Sequence, residues 1–290
     1  MLLRASNRPA ARAVAQATRC PDRRSSSRLR IVEGWRKTIA PPTDASQLST
    51  KASVAVWVAS TSSVLRAESA LNLLTSSDRE AFARLSPASA RGAVAARLLL
   101  RLGLSMAFDR RKAPQEWTFQ RTPLGKPFVH GIPSSISFTI AHTRSLTAVA
   151  VSTSVEVGID VETIDQSISD DLIFDNCTAT EKRHLLRLPP MQRAREFIQL
   201  WTQKEAYAKL LGCGLSRDFS SLSVAFGAND HSTGNAQRVC HLEGFFIPVD
   251  DSLHYGSLAV ANDGRGSIDV SVFDVSGPGH AQRSVTLPRL

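Results

Sequence analysis

Cysteine, aromatic residues and long apolar runs are all scarce in this 290-residue chain. Aromatic residues make up 6% of it, so a core has to consist mainly of Leu, Val, Ile and Ala. No segment approaches the ~20 uninterrupted apolar residues that a membrane-spanning helix needs, which argues against a transmembrane role. The four cysteines are too far apart in sequence for a zinc ribbon or a disulfide framework, so we expect a reducing compartment; they are Cys20, Cys177, Cys213 and Cys240.

Acidic residues are scarce at the N-terminal end, and this deficit accounts for most of the net charge of +9. Residues 1–40 contain nine Arg and Lys37 against Asp22 and Glu33, a balance of +8. The rest of the chain is therefore nearly neutral. A broad polyanion-binding surface is not indicated, and we expect neither nucleic acid nor a membrane as a partner.

The basic segment has the Arg-rich, Ser-containing, acid-poor composition of an organelle transit peptide. Arg4, Arg8 and Arg12 form one stripe if this segment is helical, because four residues complete about one turn. A disordered extension of a cytosolic protein has the same composition, so a cytoplasmic and a mitochondrial location are equally open. The apolar stretch of a secretory signal is missing, and the residues from Pro41 to Ser53 have the composition of a linker.

Beyond the linker, the order strand, helices, strands occurs twice, once over 54–155 and once over 156–275. Similar strings, Ser-Leu-Thr-Ala-Val-Ala at 145–150 and Ser-Leu-Ala-Val-Ala at 257–261, recur near the ends of the two halves. We therefore predict a duplicated α+β unit, with an extension (1–50), an N-terminal lobe (51–155), a C-terminal lobe (156–275) and a tail (276–290). The predicted helices are 71–85 (capped by Ser76 or Ser77), 88–104, 180–188 and 192–211, and the predicted strands are 54–58, short pieces within 117–129, 137–140, 146–152, 155–161, 222–226, 245–249, 257–260 and 268–273.

A first candidate motif is Gly158-Ile159-Asp160-Val161-Glu162. On a strand, the two carboxylates share one face and lie about 7 Å apart at the backbone, so they can converge on one Mg²⁺ ion. We expect Gly158 to leave room on that face for a ligand. Two solvated acids on an edge strand have the same pattern, so this segment alone does not decide between the two interpretations.

A second candidate motif runs from Trp201 through Lys204 and Glu205 to Lys209. On a helix, Lys204 joins an apolar face, while Trp201, Glu205 and Lys209 form a neighbouring line at a spacing of four. Such a Glu–Lys pair is common as surface decoration. Its position beside an apolar stripe predicts a part-buried carboxylate that needs a cation or a lysine as a partner.

A third candidate combines a turn, Arg121 to Pro127, with a strand that ends at His142. Gly125 lets the turn bring the backbone and Lys126 close to a ligand. The strand presents the His142 imidazole at its end, although a single histidine is more often structural.

Together these motifs resemble one family, the 4′-phosphopantetheinyl transferases of the type that activates surfactin synthetase and eukaryotic fatty acid synthases. The family signature has Gly-Ile/Val-Asp-x-Glu followed by Trp/Phe-x-x-Lys-Glu-x-x-x-Lys. Both parts occur here, and Gly125-Lys126-Pro127 and Ala141-His142 match two further family motifs in the same order. The resemblance covers about residues 54–275. Ala141 departs from it, because many relatives have Ser there.

The resemblance implies roles for particular residues. Asp160, Glu162 and Glu205 match the Mg²⁺ ligands of the family, and Glu205 is the candidate to activate the acceptor serine. Lys209 is implied in binding the diphosphate or protonating the leaving oxygen. The residues implied in holding coenzyme A are Arg91, Arg121, Lys126 and His142, with Arg79 and Arg84 as weaker candidates.

The resemblance also implies the fold, the reaction and the partners. The fold is a pseudo-twofold pair of α+β lobes with the active site in the cleft between them, in a monomer. The reaction, that of a holo-[acyl-carrier-protein] synthase, moves phosphopantetheine from coenzyme A to a serine of an apo-acyl or peptidyl carrier protein and serves fatty acid or lysine biosynthesis. Two alternatives are another Mg²⁺-dependent phosphotransferase or diphosphate hydrolase and a non-catalytic RNA- or membrane-associated protein.

Overall fold

The computed structural model describes most of the chain beyond the basic segment. The described residues are 52–66, 71–108, 111–123, 125–131, 136–164, 168–213, 218–223, 240–249, 251–261, 268–275 and 281–287. The expectations for residues 1–50 lie outside them. Of the strand predicted over 222–226, residues 224–226 lie outside them, and Leu222 and Ser223 are described but not in a strand. Within these ranges, no helix is both long and apolar enough to cross a membrane.

Helices and strands alternate along the chain, which confirms the predicted α+β class. The strands are β1 (Ala52–Ser60), β2 (Phe119–Arg121), β3 (Pro127–Val129), β4 (Ser137–His142), β5 (Leu146–Ser152), β6 (Val157–Thr163), β7 (Cys240–Val249), β8 (Ser252–Ala261), β9 (Ile268–Asp274) and β10 (Ala281–Leu287). The helices are α1 (Thr61–Arg66), α2 (Ser76–Ala83), α3 (Pro87–Ala107), α4 (Asp170–Asn176), α5 (Ala179–Leu185) and α6 (Pro190–Leu211).

The larger sheet has the strand order β10-β9-β1-β5-β4. Its central strand β1 is antiparallel to β5 and parallel to β9. The first sheet therefore contains strands from both ends of the described chain. It does not follow the predicted boundary between lobe and tail at residue 275, because β9 and β10 pair with each other and extend the sheet of β1.

The second sheet has the order β6-β8-β7, with both pairs antiparallel. Each half of the chain thus contains a first strand, then helices, then a hairpin whose second strand pairs with the first strand. This order supports the predicted duplication. A twofold axis and a cleft between the halves stay predictions.

The start of α2 differs from the prediction. Thr75, rather than Ser76 or Ser77, is the N-cap, because its hydroxyl accepts the backbone N–H of Asp78. The Asp78 carboxylate in turn accepts the backbone N–H of Thr75, so the two residues form a closed capping box. The side chains of this box satisfy two backbone donors that the helix itself leaves open.

Two buried ion pairs hold the long helices α3 and α6 in place. Arg101 of α3 is 2% exposed, and its Nη2 donates to Asp78 at 2.6 Å. Lys204 of α6 is 1% exposed, and its Nζ donates to Glu181 at 2.6 Å. Glu181 closes a second capping box with Thr178 at the start of α5. Each cation also donates to two backbone carbonyls, so neither charge is buried without partners.

Candidate active site

The candidate site lies where strand β6 packs against helix α6. A Cβ on Gly158 of β6 would overlap the carbonyl oxygen of Ala206 and lie 2.6 Å from the backbone N of Leu210. Gly158 therefore lets the backbone of α6 approach the strand directly. The expectation that it leaves room for a ligand is wrong, because helix backbone already fills that space. The close contact instead brings the polar residues of α6 beside those of β6.

Asp160 and Lys209 form the central contact of the site. Lys209 Nζ donates to Asp160 Oδ1 at 2.7 Å. Asp160 is 6% exposed, and its burial raises its pKa against the opposing charge of Lys209. The spacing along the helix predicted Lys209 as a partner for Glu205. Lys209 instead pairs with Asp160 on the strand, because the close packing at Gly158 brings Asp160 near it.

Glu162 and Glu205 complete a group of three acidic side chains. Burial raises the pKa of Glu162 to about 7, and the nearby Asp160 and Glu205 carboxylates add to the rise. Burial likewise raises the pKa of Glu205 to about 7, with a further contribution from Asp160. The predicted part-buried position of Glu205 is confirmed, since the residue is 9% exposed. The two carboxyl groups can therefore accept or release a proton near neutral pH.

The chemistry of these three carboxylates fits a magnesium ion. Their oxygens are the hard ligands that Mg²⁺ prefers. Asp160 Oδ2 is buried and has no hydrogen-bond partner among the described residues, so this oxygen can bind a second cation in addition to Lys209. No three acidic, His or Cys side chains in the described ranges are already arranged around one point. The carboxylates would therefore have to converge to hold the ion, and the metal role stays a prediction.

His142 lies at the last position of β4, as the sequence predicted. The residue is exposed to solvent. Partial burial lowers the pKa of His142, and the positive charge of Lys209 lowers it further. The imidazole is thus near the Asp160–Lys209 pair and neutral at physiological pH, so it offers a neutral hydrogen-bonding and stacking group at the edge of the site.

Lys126 makes specific contacts within the protein. Its Nζ donates to Glu156 Oε2 at 2.9 Å and to the backbone oxygen of Leu210 at 3.3 Å. The lysine therefore stabilises the C-terminal end of α6, which Gly212 terminates in a left-handed conformation (φ +73°). A role in holding a substrate requires Lys126 to leave or share these partners.

Arg121 is the last residue of β2, and its Nη1 donates to the backbone oxygen of Gly125 in the turn that follows, at 2.9 Å. Its charge is close enough to Arg97 of α3 to contribute to lowering the pKa of that residue, of which burial is the main cause. Arg97 stacks on the Phe119 ring at 4.1 Å and contacts Asp78 at 3.3 Å, while its Nη1 is buried without a hydrogen-bond partner.

Arg97 and Arg121 together form a cationic pair that sequence reasoning missed in part. Arg97 was not a candidate, although it interrupts the apolar run from Ala93 to Leu104. That interruption was the available signal, because a buried arginine needs an anionic partner. Here Asp78 is shared between Arg97 and Arg101. The single carboxylate of Asp78 cannot neutralise the guanidinium groups of Arg97, Arg101 and Arg121. These four residues therefore carry an excess of positive charge.

The remaining arginine candidates are exposed on helices α2 and α3. Arg91 lies near the start of α3, and Arg84 follows the last residue of α2. Arg79 Nη2 donates to the backbone oxygen of Leu71 at 3.0 Å. None of the contacts described here links these three side chains to Asp160 or Glu205. Their predicted role in binding coenzyme A stays a prediction.

The C-terminal half matches a known family. Residues 156–261, which contain β6, α6 and the β7–β8 hairpin, match the model of the 4′-phosphopantetheinyl transferase superfamily. The resemblance inferred from the four motifs is thereby confirmed. The superfamily match covers Asp160, Glu162, Glu205 and Lys209, whereas His142, Lys126 and Arg121 precede it.

Individual members of the superfamily are also similar to this chain. It is 33% identical over 118 residues to 4′-phosphopantetheinyl transferase psf-1 of Bacillus pumilus, a match covering 40% of this chain and 48% of that protein. It is 31% identical over 149 residues to 4′-phosphopantetheinyl transferase pptA of Paxillus involutus (44% and 53%). It is 31% identical over 157 residues to an L-aminoadipate-semialdehyde dehydrogenase-phosphopantetheinyl transferase of Eremothecium gossypii (52% and 55%). The chain spans about half the length of the curated relatives it matches.

Proposed function

We propose that this protein is a holo-[acyl-carrier-protein] synthase, which transfers 4′-phosphopantetheine from coenzyme A to a serine of an apo-carrier protein and releases 3′,5′-ADP in a Mg²⁺-dependent reaction. One observation carries the proposal. Asp160 and Glu162 of β6 face Glu205 and Lys209 of α6 in a part-buried group, inside the segment that matches the superfamily model.

The reaction needs a group that accepts a proton. The serine oxygen forms a new bond to the phosphorus next to pantetheine, the bond from that phosphorus to the bridging oxygen breaks, and the bridging oxygen leaves with 3′,5′-ADP. Glu205 is the candidate to accept the serine proton, directly or through water. Its pKa of about 7 suits a base that must be ionised at neutral pH and still hold a proton in the transition state.

The leaving group and the diphosphate need positive charge. Lys209 supplies an ammonium group on a side chain that is 28% exposed and can turn from Asp160 towards a bound diphosphate. A Mg²⁺ ion held by Asp160, Glu162 and Glu205 would neutralise charge on the diphosphate oxygens. The ion would thereby also replace the lysine as the cationic partner of Asp160.

The nucleotide end of coenzyme A carries a 3′-phosphate and an adenine. The excess positive charge of Arg97 and Arg121 suits the phosphate, and the neutral, partly exposed ring of His142 suits the adenine side. Arg91 and Lys126 are the further candidates for this end. Lys126 pairs with the Glu156 carboxylate, whereas Arg121 donates to a neutral backbone oxygen, so we propose a smaller role for Lys126 than for Arg121.

The partners follow from the proposed reaction. The acceptor is an acyl or peptidyl carrier domain, in a fatty acid synthase, a polyketide synthase, a separate mitochondrial carrier or an aminoadipate reductase. The name of the Eremothecium gossypii relative supports the last of these as one candidate, which would connect the protein to lysine biosynthesis. We propose a monomer, located in the cytoplasm or the mitochondrion.

Mass spectrometry of isolated apo-carrier domains, incubated with the full chain, coenzyme A and Mg²⁺, tests the proposal. The expected result is the gain of one phosphopantetheine on a serine, with 3′,5′-ADP released in equal amount. The matched control is Glu205→Gln, which keeps the size of the side chain and removes its charge. Release of 3′,5′-ADP without a modified carrier would identify a diphosphate hydrolase instead. No turnover of coenzyme A with any carrier would overturn the proposal.

A further inference from the structure

The long helix α3 contains two glycines, Gly92 and Gly103, that each lie directly beneath a ring. A Cβ added to Gly92 would lie 2.7 Å from Nδ1 and 2.9 Å from Cε1 of His142. A Cβ added to Gly103 would lie 2.8 Å from Cε3 of Trp57. Side-chain carbons essentially never come closer than 3.0 Å to a neighbouring atom. Both rings therefore occupy space that only glycine leaves open.

The two glycines differ in what they gain from that contact. Glycine destabilises a helix interior relative to alanine, so each position needs a compensating interaction. For Gly103 the compensation is core packing, because Trp57 is 3% exposed and belongs to the apolar core of the first sheet. For Gly92 core packing does not apply, because the His142 ring is partly exposed and lies near Lys209 and Asp160.

We propose that Gly92 is a positioning residue of the active site, and this inference rests on the proposed function. The missing side chain lets the His142 imidazole lie flat against α3, which fixes where the ring meets the nucleotide end of coenzyme A. A side chain at position 92 pushes the ring outwards, away from the helix. A positioned group displaced by about 1 Å can cost a reaction up to ~10²-fold, so a small displacement is measurable.

A first test does not depend on activity. The chain contains seven histidines, and the imidazole signal that disappears from the NMR spectrum of His142→Ala belongs to His142. In the ligand-free protein, Gly92→Ala should shift this signal, because the ring has moved. Gly103→Ala is the matched control, because it adds the same methyl group to the same helix beneath a ring outside the site. It should lower the thermal unfolding midpoint and leave the His142 signal unchanged.

A second test uses the kinetics of transfer. Gly92→Ala should raise KM for coenzyme A by about tenfold and change kcat less, because a group that positions the cofactor has moved. Gly103→Ala should leave KM unchanged. In a His142→Ala background the clash no longer exists, so adding Gly92→Ala should leave KM unchanged and raise the unfolding midpoint, as alanine does in a helix.

The outcomes separate the alternatives. An unshifted His142 signal in folded Gly92→Ala overturns the proposal, as does an equal rise of KM in the wild-type and His142→Ala backgrounds. If Gly92→Ala does not fold, the double variant decides: recovery of the fold supports the ring contact, and failure to recover it overturns the proposal. If the wild-type protein transfers no phosphopantetheine, the proposed function fails, while the NMR comparison still decides whether Gly92 positions the ring.

Discussion

In both halves of the molecule, a buried ion pair to a capping-box carboxylate holds the long helix. The two halves differ in the side chains that the long helix contributes to the candidate site. In the first half, Asp78 of a capping box pairs with Arg101 at a separation of 23 residues. In the second half, Glu181 of a capping box pairs with Lys204, again at a separation of 23 residues. Both residues of the second pair lie 103 positions after their counterparts. This common displacement supports an internal duplication more strongly than the short string repeat does.

The same displacement shows where the halves diverge. Asp160 corresponds to Trp57, which is buried in the first core, and Glu205 corresponds to Leu102. Lys209 corresponds to Met106, which is 40% exposed. The scaffold is thus repeated, whereas the positions that correspond to Asp160, Glu205 and Lys209 carry uncharged side chains in the first half. The residues that hold the fold are therefore distinct from those of the acidic group and Lys209. Variants can test stability and activity separately.

The largest expected effect concerns the shared scaffold. Lys204→Met leaves the buried Glu181 carboxylate without its cation, and Arg101→Met removes the closer of the two arginines that pair with the buried Asp78. Each variant should lower the free energy of unfolding by about 3–5 kcal/mol. Urea unfolding measures the loss. Arg193→Ala is the control, because Arg193 pairs with an Asp170 side chain that is 59% exposed and should cost at most about 1 kcal/mol. If either variant lowers the free energy of unfolding by less than about 1 kcal/mol, the two buried ion pairs are not equivalent.

The next effect concerns the chemistry of the second half. Glu205→Gln should lower transfer by at least ~10²-fold with the fold intact, because an amide cannot serve as a base or an anionic ligand. Leu102→Gln introduces the same side chain at the equivalent position of the first half and should leave the rate unchanged. The rate of carrier modification under single-turnover conditions measures both. Wild-type turnover in folded Glu205→Gln would remove this residue from the mechanism.

Within the second half, Asp160 and Glu162 should differ in importance. Asp160→Ala should raise the half-saturating Mg²⁺ concentration on the order of 10-fold or more, because it removes the buried, unpartnered oxygen. Glu162→Ala should have a smaller effect, because its side chain is only half-buried. A Mg²⁺ titration of activity compares them. Equal and unshifted curves for both variants would contradict a metal role for this strand.

A smaller effect is expected on the pH dependence of stability, and it arises from Glu205 in the second half. The pKa of Glu205 is raised to about 7 in the fold, so folding favours its protonated form. The free energy of unfolding should therefore fall as pH rises from the ordinary carboxyl range through 7. Without Mg²⁺, Glu205→Gln should stabilise the protein on the order of 2 kcal/mol at pH 8 and hardly at all at pH 4. Urea unfolding at both pH values checks this, and an equal effect at both would contradict the raised pKa.

The smallest expected effect concerns residues 1–50. Deleting them should leave transfer to an isolated carrier domain unchanged, because the motifs of the site all lie beyond them. Their predicted use is as an organelle address. Fluorescence of a fusion of residues 1–50 to a fluorescent protein tests that use, and a diffuse cytosolic signal would contradict it. Loss of activity in the truncated enzyme would contradict the other half of the prediction.

Periodicity predicted the long elements well. Strand β5 has the predicted limits, and α3 and α6 extend the predicted helices by a few residues, because an apolar face repeats along each of them. The short helix α4 and the strand β10 were missed. Helix α4 has only seven residues, too few to show a period, and β10 depends on pairing with β9.

The residue types of the site were also predicted, but not their pairing. Spacing along one helix suggested Lys209 as the partner of Glu205, whereas the lysine pairs with Asp160 across to the strand. Gly158 was assigned to a ligand, whereas it contacts the backbone of α6. Lys204 on an apolar face was a usable signal of a buried ion pair, yet nothing local in the sequence indicates that Glu181 is its partner. These interactions depend on tertiary packing, which a linear pattern does not contain.

The parallel pairing of β9 with β1 has a consequence for how the protein is made. During synthesis, β1 leaves the ribosome more than two hundred residues before the strand that completes its side of the sheet. The sheet of the first half therefore cannot be completed until β9 has been synthesised. The helices of this half and its β4–β5 hairpin can form earlier. The second half is contiguous in its sheet and has no such delay. A nascent chain therefore completes the sheet that contains Asp160 and Glu162 before it completes the sheet of β1.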